Sequence, residues 1–321
     1  MKSIEHYWYS QNIIAWLLLP LSFVFCILSF FRRVLFKLNI LKSYQAPVPV
    51  FIIGNISVGG TGKTPLIIEL VKQLQQKGFK PAVISRGYGS QADSYPYQVT
   101  QHSRASEAGD EPLLIFRRTQ CPLVIGADRR ADIEYLLQHN DCDIILSDDG
   151  LQHYALRRDV EIAVVDSSRY LGNGFCLPAG PLRERAARLR SVDMVLYNGG
   201  QQATNMQIKA AAPQALFSHD STTGLSPQKI HAVAGIGNPQ RFFDLLSSLG
   251  YEIIPHIFSD HYQYQETDLL FDDNLNVLMT EKDAVKCLAF NLPRHWFLPI
   301  EVKLSNHAQQ QFNQLLQDCN G

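Results

Sequence analysis

Short apolar runs alternate with longer helical patterns between residues 48 and 198. Six runs predict strands, at residues 48–53, 81–85, 123–126, 143–147, 161–166 and 193–197. Between them, residues 66–77 and 128–139 repeat their apolar positions at the spacing of a helix. This alternation is typical of an α/β fold, with a mostly parallel sheet and helices on both faces. Ligands of such folds bind at the carboxyl ends of the strands.

A second and smaller pattern of the same kind follows a polar segment. Residues 199–228 lack a clear period, which indicates a boundary or linker. Further strands are predicted from residue 231 and at residues 251–255, 276–279 and 296–304. Helices are predicted to end at residue 249 and to span residues 308–319. These elements predict a smaller C-terminal α/β domain.

The N-terminus carries an apolar run of a different kind. Residues 13–31 contain no charged side chain, and about 20 apolar residues are enough to cross a bilayer as a helix. Arg32, Arg33 and Lys37 follow at once, as on the cytoplasmic side of a membrane helix. A cleaved signal peptide and a buried core helix are the alternatives, and both a spanning and a dipping helix fit the run. We predict a membrane-anchoring helix in residues 1–36, a core domain in 37–225 and the smaller domain in 226–321.

Composition narrows the function classes. A net charge of -1 argues against a general nucleic-acid binder, which would be strongly basic. The six cysteines are scattered without a close pair, which suits neither a disulfide framework nor a zinc site. We expect a membrane partner, no nucleic-acid partner and no obligatory protein partner.

A glycine-rich segment between a predicted strand and a predicted helix is typical of a phosphate loop. It reads Gly59-Gly60-Thr61-Gly62-Lys63-Thr64. Glycines let the backbone N–H groups curl around a phosphate, and the helix N-terminus adds partial positive charge. Lys63 would reach the β- and γ-phosphates, and the Thr64 hydroxyl would hold Mg²⁺. We therefore predict a P-loop NTPase-like core that binds ATP through Ser57, Val58, Gly59, Gly60, Thr61, Gly62, Lys63 and Thr64, although Ser57 stands where the strict pattern has glycine.

Other candidate residues also follow strands or begin helices. Asp148 and Asp149 end a buried strand, where P-loop enzymes place a carboxylate on the magnesium side. Asp110 and Glu111 begin a helical pattern, where both would stabilise the helix dipole, or Asp110 would act as a base on an acceptor hydroxyl. Three further segments carry candidates that ordinary loops or solvated faces would also explain: Arg86 with Tyr88, four arginines within residues 183–190, and His261 after Asp260.

Together these segments resemble the tetraacyldisaccharide 4′-kinase family of Gram-negative bacteria, the lipid A kinases. The matching pieces occur in order over nearly the whole chain. They are the phosphate loop with its flanks at 54–65, and residues 85–89, 109–112, 148–153, 177–184, 260–262 and 280–283. The family shares Ser57, so the departure from the strict loop pattern does not count against it.

The resemblance implies transfer of the γ-phosphate of ATP to the 4′-hydroxyl of a tetraacylated glucosamine disaccharide 1-phosphate, which gives lipid IVA. It also implies a place at the bacterial inner membrane, with the catalytic domains facing the cytoplasm. Asp110 would be the base, assisted by His261, and Lys63 would neutralise the transferring phosphoryl group. The magnesium side would comprise Thr64, Glu111, Asp148 and Asp149. The substrate and rim residues would be Arg86, Tyr88, His153, Arg183 and Glu184.

Three rival nucleotide-binding classes lack their own sequence marks. A partitioning-type ATPase has a lysine where this chain has Val58, and no transport-ATPase signature segment is present. Guanine recognition needs Asn/Thr-Lys-x-Asp, whereas residues 280–283 read Thr-Glu-Lys-Asp. The remaining alternative is a membrane-anchored switch or adaptor that binds ATP and phosphorylates nothing.

Overall fold

The structure is a computed structural model that describes residues 4–10, 12–199, 205–217, 224–290 and 292–320. It begins with a 3-10 helix (Ile4–Tyr9) and the 25-residue helix α1 (Ile13–Lys37). Asn12 caps α1, because its Oδ1 accepts the Ala15 N–H at 2.9 Å. Helix α1 carries Pro20 in its interior.

A nine-stranded sheet forms the larger part of the fold. Its strands are β1 (Val50–Gly54), β2 (Pro81–Ser85), β3 (Tyr97–Gln98), β4 (Leu123–Ile125), β5 (Ile144–Asp148), β6 (Val160–Asp166), β7 (Met194–Asn198), β8 (Met206–Ala210) and β14 (Ile300–Leu304). The order is β14-β8-β7-β6-β1-β5-β2-β4-β3. Only the edge strands β3 and β14 pair antiparallel to their neighbours. The predicted mostly parallel sheet is thus confirmed.

Helices cover both faces of this sheet. They are α2 (Lys63–Gln76), α3 (Ala105–Ala108), α4 (Asp110–Thr119), α5 (Arg129–His139) and α8 (Asn306–Asn320). Leu66 and Ile67 of α2, Leu113 of α4 and Phe312 of α8 pack in one apolar cluster, and Ile133 and Leu136 of α5 pack in a second. Burial of these side chains is the main force that holds the layers together.

The second sheet has five strands, in the order β11-β10-β12-β13-β9. The bounds are β9 (Gln214–Ala215), β10 (Lys229–Ala234), β11 (Glu252–Ile257), β12 (Asn276–Thr280) and β13 (His295–Leu298). Helices α6 (Pro239–Ser248) and α7 (Glu281–Ala284) and a 3-10 helix (Glu266–Leu269) belong with it. This is the smaller α/β unit that the sequence predicted.

The structure corrects how the chain divides between the two sheets. The predicted strand 296–304 is two strands, β13 in the second sheet and β14 in the first, with Pro299 between them. Helix α8 packs on the first sheet, where the ring centroids of Phe312 and Phe51 lie 6.2 Å apart. The polar segment 199–228, partly outside the described residues, contributes β8 to one sheet and β9 to the other. Residues 300–320 were therefore wrongly assigned to the smaller domain.

Candidate active site

The phosphate loop joins β1 to α2 as the sequence predicted. Gly59 and Gly62 have φ values of 104° and 96°, which favour glycine. A Cβ on Gly62 would lie 2.7 Å from Asn198 Nδ2. No side chain caps α2, so its first N–H groups stay available to a ligand.

A neighbouring segment holds the first half of this loop. The Val58 N–H donates to the Pro181 carbonyl at 2.8 Å, and the Arg183 N–H donates to the Ile56 carbonyl at 2.7 Å. The backbone N–H of Val58 is therefore already used in a protein hydrogen bond. These two bonds leave residues 59–64 as the part of the predicted phosphate loop that would hold the phosphates.

Asn198 is a site residue that the sequence analysis missed. It ends β7, is buried, and donates from Nδ2 to the Thr61 carbonyl at 2.9 Å. Its Oδ1 has no hydrogen-bond partner among the described residues. Asn198 lines a cleft of about 350 Å³ with Asp166 and Arg241, which form an ion pair at 3.1 Å. Its place at the carboxyl end of a predicted strand was the available signal.

Lys63 meets an acidic residue on the other side of the loop. Its Nζ lies 3.3 Å from Asp149 Oδ1, and the Arg183 guanidinium lies 2.8 Å from Asp149 Oδ2. Burial raises the pKa of Asp149, but the two cations outweigh burial and hold it below its usual value. Asp149 has φ 51°, so the backbone turns sharply to aim its carboxylate at Lys63.

Asp148 occupies a different environment one residue earlier. Its Oδ2 accepts the Ser85 hydroxyl at 3.0 Å, while Oδ1 is buried without a hydrogen-bond partner in the described part of the chain. Burial, and then the negative charge of Glu111, raise the pKa of Asp148 to about 7. Lys63 acts in the opposite direction. The charge state of Asp148 therefore responds both to Lys63 of the phosphate loop and to Glu111 at the start of α4.

The other predicted magnesium-binding residues differ in whether their side-chain oxygens are already paired with cations. Glu111 Oε1 lies 3.2 Å from Lys282 Nζ, and Asp149 is paired with two cations. Thr64 lies in the first turn of α2. Within the described residues no group of three or more His, Cys, Asp or Glu side chains could hold a metal. The unpaired Asp148 oxygen and the Thr64 hydroxyl are hard oxygen donors of the kind that Mg²⁺ prefers, and Mg²⁺ needs few protein ligands beside nucleotide phosphates.

Asp110 and His261 come together across the two sheets. Asp110 begins α4 and is 3% exposed, and its Oδ2 lies 3.0 Å from His261 Nδ1. This hydrogen bond is the largest cause of a raised pKa at His261. His261 has φ 59°, and its ring centroid lies 5.3 Å from that of Tyr88. The pair that the resemblance implied is thus formed.

The predicted substrate and rim residues lie in different environments. Arg86 and Tyr88 are exposed and line a cleft of about 460 Å³ with Asp128. Arg183 lies at Asp149 as described above. His153 is half-buried, and burial together with nearby arginines lowers its pKa to about 4, so it is neutral at pH 7.

Glu184 does not lie on an open rim. It is 8% exposed and accepts hydrogen bonds from Tyr154 and from Gln152 Nε2 at 3.1 Å. Arg188 is also buried and pairs with Glu161 and Glu184. The arginine-rich segment is therefore partly an internal ion-pair network, and Arg183 is its member nearest the phosphate loop.

Phosphoryl transfer needs a cradle for the phosphates, a cation at the transferring group and a base at the acceptor, and the glycine-rich loop, Lys63 and Asp110 are groups of these three kinds. The fold and the site define a P-loop kinase. Within that class the chain belongs to the LpxK family, tetraacyldisaccharide-1-P 4′-kinase, whose model matches residues 14–319.

Individual relatives agree with the family match. A tetraacyldisaccharide 4′-kinase of Pasteurella multocida is 48% identical over 312 residues, which cover 95% of this chain and 96% of the relative. A tetraacyldisaccharide 4′-kinase of Nitrosococcus oceani is also 48% identical, over 98% of this chain and 95% of the relative. The crystal structure of the "apo" form of LpxK from Aquifex aeolicus in complex with ATP superposes with a TM-score of 0.78 and 25% identity, covering 96% of this chain and 99% of that one.

Proposed function

We propose that this chain transfers the γ-phosphate of ATP to the 4′-hydroxyl of tetraacyldisaccharide 1-phosphate, which gives lipid IVA. The family and the names of its relatives support this reaction. The observation that carries the proposal is the Asp110–His261 pair, because a nucleotide-binding adaptor has no need of a buried carboxylate paired with a histidine of the smaller unit.

Each side chain then has a chemical role. Asp110 accepts the proton of the acceptor hydroxyl, and His261 holds the carboxylate in orientation. Lys63 stabilises charge on the transferring phosphoryl group, and it is held in place by Asp149. Mg²⁺, held by Thr64 and Asp148 with Glu111 and Asp149 nearby, would neutralise charge on the nucleotide phosphates.

The two clefts suit the two substrates. Sheet order places β6 and β7 on one side of β1, and β5 and β2 on the other. Since Asp148 lies on the β5 side, the γ-phosphate would point that way and the base of ATP would point toward Asn198. The unpaired Asn198 Oδ1 could accept a hydrogen bond from the exocyclic amine of adenine. Arg86, Tyr88 and His153 would contact the glycolipid, and Arg183 would lie where the two substrates meet.

Helix α1 would bring the enzyme to its lipid substrate. It is long and apolar enough to cross a membrane, with a mean hydropathy of 2.5 in its most apolar window, of which 11% is buried. One face is docked on the core, where Ser22 Oγ donates to the Cys176 carbonyl at 2.7 Å and Arg33 donates to Ser191 Oγ at 2.9 Å. Leu17 and Leu28 lie exposed elsewhere on the helix. This arrangement favours a helix that lies in the surface region of the bacterial inner membrane, with the catalytic domains in the cytoplasm.

A transfer assay tests the proposal. Purified enzyme, Mg-ATP labelled in the γ-phosphate and the disaccharide 1-phosphate in detergent should yield a labelled bisphosphate lipid whose new ³¹P resonance couples to the 4′ proton. An otherwise identical acceptor that lacks the 4′-hydroxyl should remain unlabelled. ATP binding without transfer to the intact acceptor would instead favour the membrane-anchored adaptor.

A further inference from the structure

Lys286 is a buried cation beside the proposed base. It follows α7 by two positions, on the smaller α/β unit, and its side chain is 1% exposed. The ammonium lies 3.9 Å from Asp110 Oδ2 and 2.8 Å from Asp283 Oδ1, and 4.8 Å from the centroid of the Tyr264 ring. Burying an ammonium is costly unless carboxylates compensate for the lost hydration, so the three charged groups form one coupled cluster.

Asp283 ties this cluster rigidly to the second sheet. It is fully buried, and its Oδ2 accepts the Gly235 N–H at 2.9 Å and the Thr280 hydroxyl at 2.6 Å. Gly235 follows β10 and Thr280 ends β12, so the position of Asp283 is fixed by two neighbouring strands. Lys286 therefore approaches Asp110 from a part of the smaller unit whose position is fixed.

Lys286 and His261 approach the same oxygen of Asp110. Both distances, 3.9 Å from Nζ and 3.0 Å from Nδ1, are to Oδ2. For both groups the nearer oxygen of the Asp110 carboxylate is Oδ2 and not Oδ1. Two groups from the smaller unit thus hold one carboxylate oxygen and leave the other to the substrate.

We propose that Lys286 is a positioning residue for Asp110: it fixes the plane of the carboxylate so that Oδ1 faces the acceptor hydroxyl. This inference rests on the proposed function, in which Asp110 is the base. It also makes the base effective only when the smaller unit is docked on α4.

Docking alone does not require Lys286. Arg118 of α4 and Glu281 of α7 form an ion pair at 2.7 Å between the same two helices, with side chains 18% and 8% exposed. Lys282 adds contacts to Glu111 and Asp260, each at 3.2 Å. Arg118 lies about two helical turns beyond Asp110, so its pair with Glu281 holds the interface at a distance from the base. Because Lys282 and Glu111 still join the two units, Arg118→Met offers a matched control that removes one docking contact without separating them.

The test compares Lys286→Met with the wild type in the full-length enzyme. Methionine fills a similar volume without the charge. We expect kcat to fall about 100-fold, since a small misplacement of a catalytic group has an effect of this size. The KM values for ATP and for the lipid and the ATP affinity should stay within about threefold, because Lys286 touches neither substrate. Arg118→Met should lower the melting temperature but change kcat less than threefold.

A double-mutant cycle with Asp110→Asn separates positioning from a general structural role. If Lys286 acts through Asp110, Lys286→Met should change the residual rate of Asp110→Asn by less than about threefold. If Lys286→Met does not fold, Lys286→Gln takes its place in every arm. A wild-type kcat in the Lys286 variant, or an equal loss in the Asp110→Asn background, would overturn the inference. A wild-type kcat in Asp110→Asn itself would instead overturn the proposed function.

Discussion

The phosphate loop occupies six consecutive residues, 59–64, whereas the acceptor side joins Asp110 to a histidine 151 positions further along the chain. The first is made by one strand–turn–helix unit, whose glycines and helix N-terminus act locally. The second exists only when two sheets dock on each other. The difference indicates that nucleotide binding should survive changes that disable phosphoryl transfer, because the acceptor side depends on a separate set of contacts.

The largest effect is expected at Lys63, where the nucleotide half of the site (the phosphate loop) would meet the acceptor half (Asp110 and His261). Lys63→Met removes the cation nearest the transferring group, and we expect kcat to fall at least about 10³-fold, as when other preorganised charge stabilisers are removed. Steady-state kinetics with saturating lipid measure it. Lys77→Met, at the exposed far end of the same helix, is the matched control and should keep the wild-type rate. Equal rates in both variants would contradict the role of Lys63.

His261→Ala tests the acceptor half alone. Loss of the group that orients Asp110 should lower kcat about 10²-fold. The dissociation constant for ATP, measured by calorimetry, should not change, because His261 belongs to the smaller unit and not to the phosphate loop. His102→Ala, an exposed histidine, serves as control. Weaker ATP binding in His261→Ala would show that the two halves are not separable.

Asn198→Ala tests the nucleotide half and should change ATP binding rather than the rate of transfer. The variant loses the hydrogen bond to the Thr61 carbonyl and the proposed contact with adenine. We expect KM for ATP to rise about tenfold, the equivalent of one to two hydrogen bonds, with kcat within threefold of the wild type. The preference for ATP over GTP should also fall. An unchanged preference for ATP over GTP would indicate that the base of ATP does not bind in the Asn198 cleft.

The smallest effect concerns pH. The hydrogen bond to Asp110 raises the pKa of His261 above its ordinary value of 6.5. A raised pKa means that the stabilising contribution is fully present below the ordinary value and is lost as pH rises through the folded-state value. The difference in melting temperature between wild type and His261→Ala should therefore be larger at a pH of roughly 6 than at roughly 9. A difference that grows with pH would contradict the ion pair.

The same contrast explains what the sequence could predict. The phosphate loop and the parallel strands rest on neighbouring residues, and both were predicted from periodicity and glycine spacing. The pairing of Asp110 with His261 came only from the family resemblance, since no local pattern links α4 to the loop after β11. Asn198 and Lys286 were missed because their roles depend on contacts with Thr61 and Asp110 that are far away in sequence.

Errors in the predicted domain limits have a related cause. Strand β14 and helix α8 have the same apolar patterns as elements of the smaller unit, so periodicity could not reveal which sheet they join. Pro299, between β13 and β14, was the local sign of a break, because proline cannot donate to a strand ladder. Glu184 was placed on the rim from its motif, but its neighbours Tyr154 and Gln152 hold it inside.

The most direct test of the account is transfer of labelled γ-phosphate to the disaccharide 1-phosphate by Asp110→Ala, with ATP binding measured on the same preparation. We predict that transfer is lost while the affinity for Mg-ATP stays at the wild-type value, because Asp110 acts only on the acceptor hydroxyl. Transfer at the wild-type rate would contradict the account, since it would remove the base from the chemistry.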